Sequence, residues 1–174
     1  MIDRSRLATV AFAAVAVLAI GAVVVATNPG VIPAGEYDRT TVTAVDADSG
    51  EDLATVRVRV ADTRSKRYTG LSDTDSLGEN EGMLFVHDAE GEYAYVMREM
   101  GFPLDIVFVD ADGTITRIHH AELPPEGTSG SDLTRYPGRG RYVLEVPYEY
   151  TTAHGIETGD RLRIPDPWGP TTGP

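Results

Sequence analysis

Four side chains in the middle of the chain have types and spacing that suit the binding of a small anion. Tyr95, Met97 and Arg98 lie in the sequence YVMR, and Asp105 opens the next apolar run. On an extended strand Tyr95 and Met97 share one face and Arg98 points away from it. A guanidinium is a rigid fork of donors that matches a carboxylate or phosphate. The sequence therefore suggests an anion-binding cleft beside Arg98, and a purely structural Arg98–Asp105 ion pair is the alternative that we prefer.

Two further residues complete the candidate site. Met83 and Met97 would line its apolar walls, because methionine adapts to irregular surfaces, although both also suit a plain core. Tyr136 lies near the end of a Gly- and Pro-rich stretch, residues 121–139, that lacks apolar periodicity. Loops of this length inside a domain are uncommon and are often functional. We expect this loop to roof the cleft.

Paired carboxylates offer a second kind of chemistry. Asp105 with Glu99 or Glu122 could act as acid and base on envelope material, since glycosidic cleavage needs two carboxyl groups roughly 5–9.5 Å apart. This hydrolase is the alternative to a binding module. A purely structural envelope protein is a third possibility.

The other catalytic or metal-binding motifs that the sequence suggests each lack a geometry or a residue that their chemistry requires. Adjacent residues on a strand point to opposite faces, so His119 and His120 cannot easily share a metal ion with Glu122. Residues 106–115 (IVFVDADGTI) imitate an aspartyl-phosphate motif, but a strand pattern follows where that chemistry needs a helix. The chain has no cysteine and no Gly-Xaa-Ser-Xaa-Gly elbow. We predict no catalytic residue, no metal site and no cofactor.

Short segments of alternating apolar and polar residues must position these side chains. Alternation and turn signals predict strands and two short helices. Thr63 is placed to cap the first helix, and Gly70 to end it. Asp112-Gly113 is the strongest hairpin signal. The predicted strands are 39–45, 53–60, 82–86, 93–97, 104–109, 114–118, 141–146 and 161–164, and the predicted helices are 64–69 and 148–154.

This order of elements predicts a β-rich α+β domain. We expect a mainly antiparallel sheet, or a partly closed barrel, with two short helices. Parallel pairing requires a crossover of a dozen or more residues, usually with a long helix, and the sequence shows no such helix.

The N-terminal residues predict that the chain is located at a membrane. Leu7–Ala26 contains no charged residue, and a helix of that length is about 30 Å long, enough to cross the hydrocarbon core. Arg4 and Arg6 precede it, so the rest of the chain should lie outside the cytoplasm. We predict a single-pass anchor in the cell membrane. The alternative is a signal peptide cleaved near Ala26, which would release a secreted protein.

Composition limits the partners and the organisation. The net charge is −12, with one lysine among fifteen basic residues. Such an acidic surface repels phosphate backbones, so nucleic acid is not an expected partner. High acidity with little lysine is typical of proteins from salt-loving organisms. We expect an anchor (1–26), a stem (27–38), one exported domain (39–164) and a disordered tail (165–174).

Seven motifs occur in the order of a known family. They are VADT at 60–63, GL at 70–71, EGMLF at 81–85, YVMR at 95–98, PLDIVFVDADG at 103–113, RYVLEV at 141–146 and HGIETGDRL at 154–162. Over 53–164 the chain resembles the domain-of-unknown-function family 192. The resemblance implies a compact β-rich domain, often behind a signal or anchor, with no settled activity. Glu99 and Met100 replace the family's usual Asn-Thr pair, and Ser72 its usual Met.

These observations favour a membrane-tethered, extracytoplasmic accessory module. Its expected partners are the lipid bilayer, through Leu7–Ala26, and a small anionic ligand or an envelope component.

Overall fold

The computed structural model describes residues 35–170, which form seven strands and two short helices. Their bounds, in chain order, are β1 Asp38–Val45, β2 Asp52–Ala61, α1 Arg64–Thr69, β3 Glu81–Tyr95, β4 Leu104–Val109, β5 Ile115–Ala121, β6 Tyr136–Pro147, α2 Tyr150–Ala153 and β7 Arg161–Arg163. A single 3-10 turn, Gly130–Asp132, interrupts the connection between β5 and β6.

One sheet contains all seven strands, in the order β5-β4-β6-β3-β2-β1-β7. It curls into a half-barrel, because its two edges meet at one end. There Leu162 N donates to Gly113 O at 2.7 Å, and Ile115 N donates to Asp160 O at 2.8 Å. The β-rich fold with two short helices is therefore confirmed.

Two apolar clusters stabilise the sheet, one on each face. The inner core fills the concave side and includes Val42, Val58, Leu84, Val107, Tyr142 and Leu144. The outer core lies on the other side, beneath α1 and the connections, and includes Leu71, Met83, Phe85, Met97, Ile106 and Phe108. Because alternate residues of a strand serve opposite faces, the central strands β4 and β6 are apolar on both.

Several local predictions are confirmed. β1 and β2 form an antiparallel hairpin. Thr63 Oγ1 accepts a hydrogen bond of 3.2 Å from Lys66 N, so it caps α1 as expected. Gly70 ends that helix with a φ of 54°, a conformation that glycine adopts without steric cost. Gly113 turns the β4–β5 hairpin with a φ of 90°.

Two predictions about the sheet were wrong. β2 and β3 pair in parallel, joined by residues 62–80. A six-residue helix with a long irregular connection is a sufficient crossover, so no long helix was needed. The predicted strands 82–86 and 93–97 form one strand, β3, with a register shift between Val86 and Gly91. The expected turn at 89–91 is this irregularity, because both halves of β3 pair with the same partner, β6.

The irregular loop is shorter than its sequence suggested, residues 122–135. Tyr136–Gly140 pairs with β3 instead. A Cβ on Gly138 would lie 2.4 Å from the Phe108 ring, and one on Gly140 would lie 2.6 Å from Val109 O. The glycines that resembled loop residues therefore permit close packing on β4.

The termini bear on the membrane prediction. Among residues 35–170, no helix has the length and apolar character needed to cross a bilayer. The predicted span Leu7–Ala26, most of the stem and residues 171–174 lie outside the described residues. Within the tail, Trp168 packs against the inner core.

Candidate functional site

A cleft of about 260 Å³ opens between α1 and β3 on the outer face of the sheet. We call it the β3 cleft. Two residues of the sequence-predicted site, Tyr95 and Arg98, line it. Its wall is largely aromatic and also contains Tyr68, Phe85, His87, Tyr93, Met100 and Glu145.

Ring contacts fix the aromatic wall. Tyr95 packs edge-on against Phe85, with ring centroids 5.1 Å apart. Its hydroxyl lies 3.0 Å from His87 Nε2, and His87 stacks on Tyr93 at 3.6 Å. Such contacts hold each ring in one orientation. The wall is therefore pre-organised, and a flat apolar group could pack against it without reordering the side chains.

Glu145 is the unusual member of the cleft. It lies on β6 opposite Met83 of β3 and Ile106 of β4, both residues of the outer core. Its side chain is buried, and no hydrogen bond or ion pair joins its carboxyl group to another described residue. Buried carboxylates are normally paired, because an isolated charge is costly in an apolar environment. An unpaired acid in an open cleft can form a hydrogen bond with a ligand that enters the cleft.

Burial shifts the pKa values of three cleft residues, each in the direction that favours the uncharged form. It raises the pKa of Glu145 to about 8, so this acid is mostly protonated at neutral pH. Burial, reinforced by the charge of Arg67, lowers the pKa of His87 to about 4, although Asp88 opposes this shift. Burial and then Glu145 raise the pKa of Tyr95 well above its ordinary value. At pH 7 these three groups are therefore largely uncharged, and the formal charge of the cleft comes from its two arginines, Arg67 and Arg98.

Arg98 supplies a cation to the cleft. Its guanidinium stacks on the Tyr68 ring at 4.1 Å, and Nη2 donates to the backbone oxygen of Tyr68. This is the one hydrogen bond of its side chain within residues 35–170, and an arginine has five donors. Arg98 therefore keeps donors for a ligand while α1 holds its position.

The predicted Arg98–Asp105 ion pair is wrong. Asp105 shares its face of β4 with Val107 of the inner core, whereas Arg98 lies with Leu71 on the outer side. The two side chains are thus on opposite faces of the sheet. The prediction failed because proximity along the chain does not show which face a strand residue serves.

Asp105 instead forms a buried hydrogen-bond network. Its side chain is fully buried, and Oδ1 contacts His120 Nδ1 at 2.6 Å and Glu149 N at 3.0 Å. Oδ2 accepts from the backbone and the hydroxyl of Thr151. Asp105 thereby joins β4 to α2 and orients the partly exposed ring of His120.

The two neighbouring histidines point to different faces. His120 contacts Asp105, while His119 Nε2 lies 2.8 Å from Pro137 O and its ring packs near Phe108. In the described part of the chain, no three His, Asp or Glu side chains cluster closely enough to hold a metal ion.

The remaining candidates lie outside the β3 cleft. Met83 is a fully buried residue of the outer core. Met97 and Tyr136 line a separate cavity of about 190 Å³ under the 122–135 loop, with Leu123 and Leu133. The loop thus covers this cavity. Of the six predicted residues, the structure brings Tyr95 and Arg98 together in the β3 cleft and Met97 and Tyr136 together under the loop.

Sequence reasoning missed Glu145, although a signal was present. The run Tyr142–Val146 (YVLEV) is apolar except for this acid. A strand that is apolar on both faces is typical of the middle of a covered sheet. A charged residue within such a run indicates a buried acid, and this is where Glu145 lies.

The sequence belongs to a family of unknown activity. Residues 44–164 match the model of DUF192, described as Uncharacterized ACR, so the chain belongs to this family. The expected family is confirmed, and the match begins nine residues earlier than the motifs indicated. No curated protein matches the chain.

Two crystal structures share the fold. One is of a proposed transcription regulator from Sinorhizobium meliloti 1021, with 27% identity and a TM-score of 0.65, covering 74% of this chain and 95% of that chain. The other is of a protein of unknown function from Novosphingobium aromaticivorans DSM 12444. It has 28% identity and a TM-score of 0.65, and covers 76% of this chain and 90% of that chain.

Proposed function

We propose that this domain is a small-ligand-binding module and that the β3 cleft is its binding site. One observation carries the proposal: Glu145 is a buried acid with no hydrogen-bond or ion-pair partner among residues 35–170, in an open cleft with rigid aromatic walls. An acid confined to the core would gain from replacement by an apolar residue. An acid that forms a hydrogen bond with a ligand would explain why this position is not apolar.

The chemistry of the cleft defines the ligand class. The aromatic wall suits a flat or apolar body. Arg98 suits a carboxylate, because its free donors form a planar fork. Glu145, protonated at neutral pH, would donate a hydrogen bond to an uncharged oxygen or nitrogen of the ligand. We therefore expect a small, partly apolar carboxylate.

Three small molecules test this proposal, because each contains one phenyl ring but they are an anion, a neutral molecule and a cation. Benzoate, benzyl alcohol and benzylamine would each be titrated against the full-length chain, with the melting temperature as the measurement. Benzoate should stabilise the wild type and the other two should not, since only benzoate matches Arg98. Arg98→Gln should remove most of the response while leaving the free protein folded.

The matched control is Arg117→Gln. Arg117 is an exposed arginine on β5, outside the β3 cleft, so this variant should respond to benzoate like the wild type. A benzoate response that is equal in Arg98→Gln and the wild type would refute the assignment of the site. So would an equal response to all three probes.

The hydrolase alternative has no supporting observation. Both oxygens of Asp105 are engaged by His120, Glu149 and Thr151, and the side chain is inaccessible. Asp105 cannot then act with Glu99 or Glu122 as an exposed acid and base. The Asp105–His120 pair does orient an imidazole. Within residues 35–170, however, no hydroxyl nucleophile is hydrogen-bonded to the ring.

The location and partners of the module are part of the proposal. The uncharged run Leu7–Ala26 supports an anchored module outside the cytoplasm, and cleavage near Ala26 would make it a secreted one. The net charge of −12 disfavours nucleic acid. The role of the Sinorhizobium protein is therefore not transferred to this chain.

A further inference from the structure

A second cleft, of about 410 Å³, lies on the outer face of β1 and β2. Arg39, Arg57 and Arg59 line it together with one acid, Glu81. Three arginines and one glutamate give this lining a formal charge of +2, whereas the chain carries −12. The lining of this cleft is thus positively charged although the chain as a whole is negatively charged. We call this site the arginine cleft.

Strand register makes the arrangement costly. Arg39 of β1 lies directly opposite Arg59 of β2, and Thr41 lies opposite Arg57. Directly opposed residues point to the same face, and opposed like charges destabilise a sheet. An acid at position 39 would turn the repulsion into attraction. A bound anion would offset the repulsion within this arginine pair.

Neighbouring groups compensate the arginines only in part. Arg59 donates to Thr74 Oγ1 at 2.7 Å and lies over the Tyr37 ring. The side chain of Arg57 is 72% exposed and its contact with Glu81 is long, at 3.5 Å. The other carboxylate oxygen of Glu81 accepts from Gly78 N.

Arg39 makes no hydrogen bond or close ion pair with any residue in the described range 35–170. Its charge does act on Glu81 at longer range, because the Gly78 hydrogen bond, Arg57 and then Arg39 lower the pKa of that acid. Together, the three guanidinium groups have more donors than the protein uses.

We propose that the arginine cleft binds a tetrahedral oxyanion, a phosphate or sulfate group. Arg39 and Arg57 would donate to its oxygens, and the Ser76 hydroxyl, which also lines the cleft, would add a further donor. Charge-assisted hydrogen bonds of this kind are the stronger class. The bound anion would also screen the Arg39–Arg59 repulsion.

The edge of the sheet leaves room for a larger molecule. β7 pairs only with Thr43–Val45 of β1, so residues 38–42 have no strand partner on that side in the part of the chain that the structure describes. The oxyanion could therefore be a free ion or the charged group of a headgroup. Inorganic phosphate and glycerol phosphate carry the same chemistry and distinguish these two sources.

The test measures the melting temperature of the full-length chain while phosphate or glycerol phosphate replaces chloride at constant ionic strength. The wild type should show saturable stabilisation. Arg39→Gln and Arg57→Gln should each weaken binding about tenfold, as expected when one charged hydrogen-bond donor is lost. Without phosphate, Arg39→Gln should be at least as stable as the wild type, because Arg59 no longer faces a like charge.

The control is again Arg117→Gln, which should bind like the wild type. Tighter binding of glycerol phosphate would assign the group to a larger molecule, and tighter binding of phosphate to the free ion. Both results support the proposal. It is overturned if neither probe gives a saturable response, or if Arg39→Gln and the wild type bind equally well.

Discussion

Asp105 and Thr151, which are 46 residues apart, are joined by two hydrogen bonds: Oδ2 of Asp105 accepts from Thr151 N at 2.9 Å and from its hydroxyl at 2.6 Å. This contact ties α2 to β4 inside the inner core. The acid is fully buried, and its role is to hold the end of the sheet together.

Removal of this acid should therefore destabilise the domain strongly. Asp105→Ala leaves the two buried donors of Thr151 and the Glu149 N–H without their acceptor, and it leaves a cavity. We expect a loss of about 3 kcal/mol or more in the free energy of unfolding, measured by urea denaturation. Asp75→Ala, at an exposed position, is the control and should change it by less than about 0.5 kcal/mol. Equal effects of the two substitutions would contradict the network.

Glu145 should make the stability depend on pH. Its folded pKa of about 8 exceeds the ordinary value, so the folded state holds the proton more tightly. Stability from this group is present below about pH 4.5 and is lost as the pH rises to 8, by roughly 3–5 kcal/mol in total. Glu145→Gln should remove this loss, as judged by urea unfolding at pH 5, 7 and 9.

The control for that experiment is Glu126→Gln, an exposed position in the 122–135 loop. This variant should keep the pH profile of the wild type. A Glu145→Gln profile that also follows the wild type would show that folding does not raise the pKa of this acid.

The titration of His87 should give the opposite dependence of folding stability on pH. Its pKa is lowered to about 4, so the folded state favours the neutral ring. Stability from this group is present above about pH 6.5 and is lost as the pH falls through 4. His87→Phe keeps a ring to stack on Tyr93 and cannot be protonated. Its melting temperature should fall less than that of the wild type between pH 7 and pH 4, and an identical fall would exclude His87 as a cause.

Gly138 should be intolerant of a methyl group. An added Cβ would lie 2.4–2.7 Å from three atoms of the Phe108 ring, which is itself buried. We expect Gly138→Ala to cost about 1–3 kcal/mol of unfolding free energy through overpacking. Gly101 has nothing within 4 Å of an added Cβ, so Gly101→Ala should be nearly neutral. A neutral Gly138→Ala would show that β6 and β4 pack less closely.

Local patterns predicted the elements well because each depends on near neighbours. The β1–β2 alternation, the Thr63 cap and the Asp112-Gly113 turn need only adjacent residues, and all three are found. The parallel β2–β3 pair was missed because pairing across residues 62–80 depends on the whole sheet. The β3 register shift was taken for a turn for the same reason.

The site was harder to predict than the fold. Tyr95 and Arg98 lie together in one motif and line one cleft. Asp105 was misplaced because the face of β4 that it serves depends on contacts with α2, 46 residues away. Glu145 reaches the same cleft from a different strand, and only the pairing of β6 with β3 brings it there.

The central claim is that the β3 cleft binds a small carboxylate, and methionine methyl NMR tests it directly. Met100 lines this cleft, whereas Met97 lines the separate cavity under the 122–135 loop. Titration of the full-length chain with benzoate should give a saturable shift of the Met100 methyl resonance and leave Met97 nearly unmoved. The shift should be lost in Arg98→Gln. A Met100 resonance that does not move, or that moves equally in Arg98→Gln, would contradict the account.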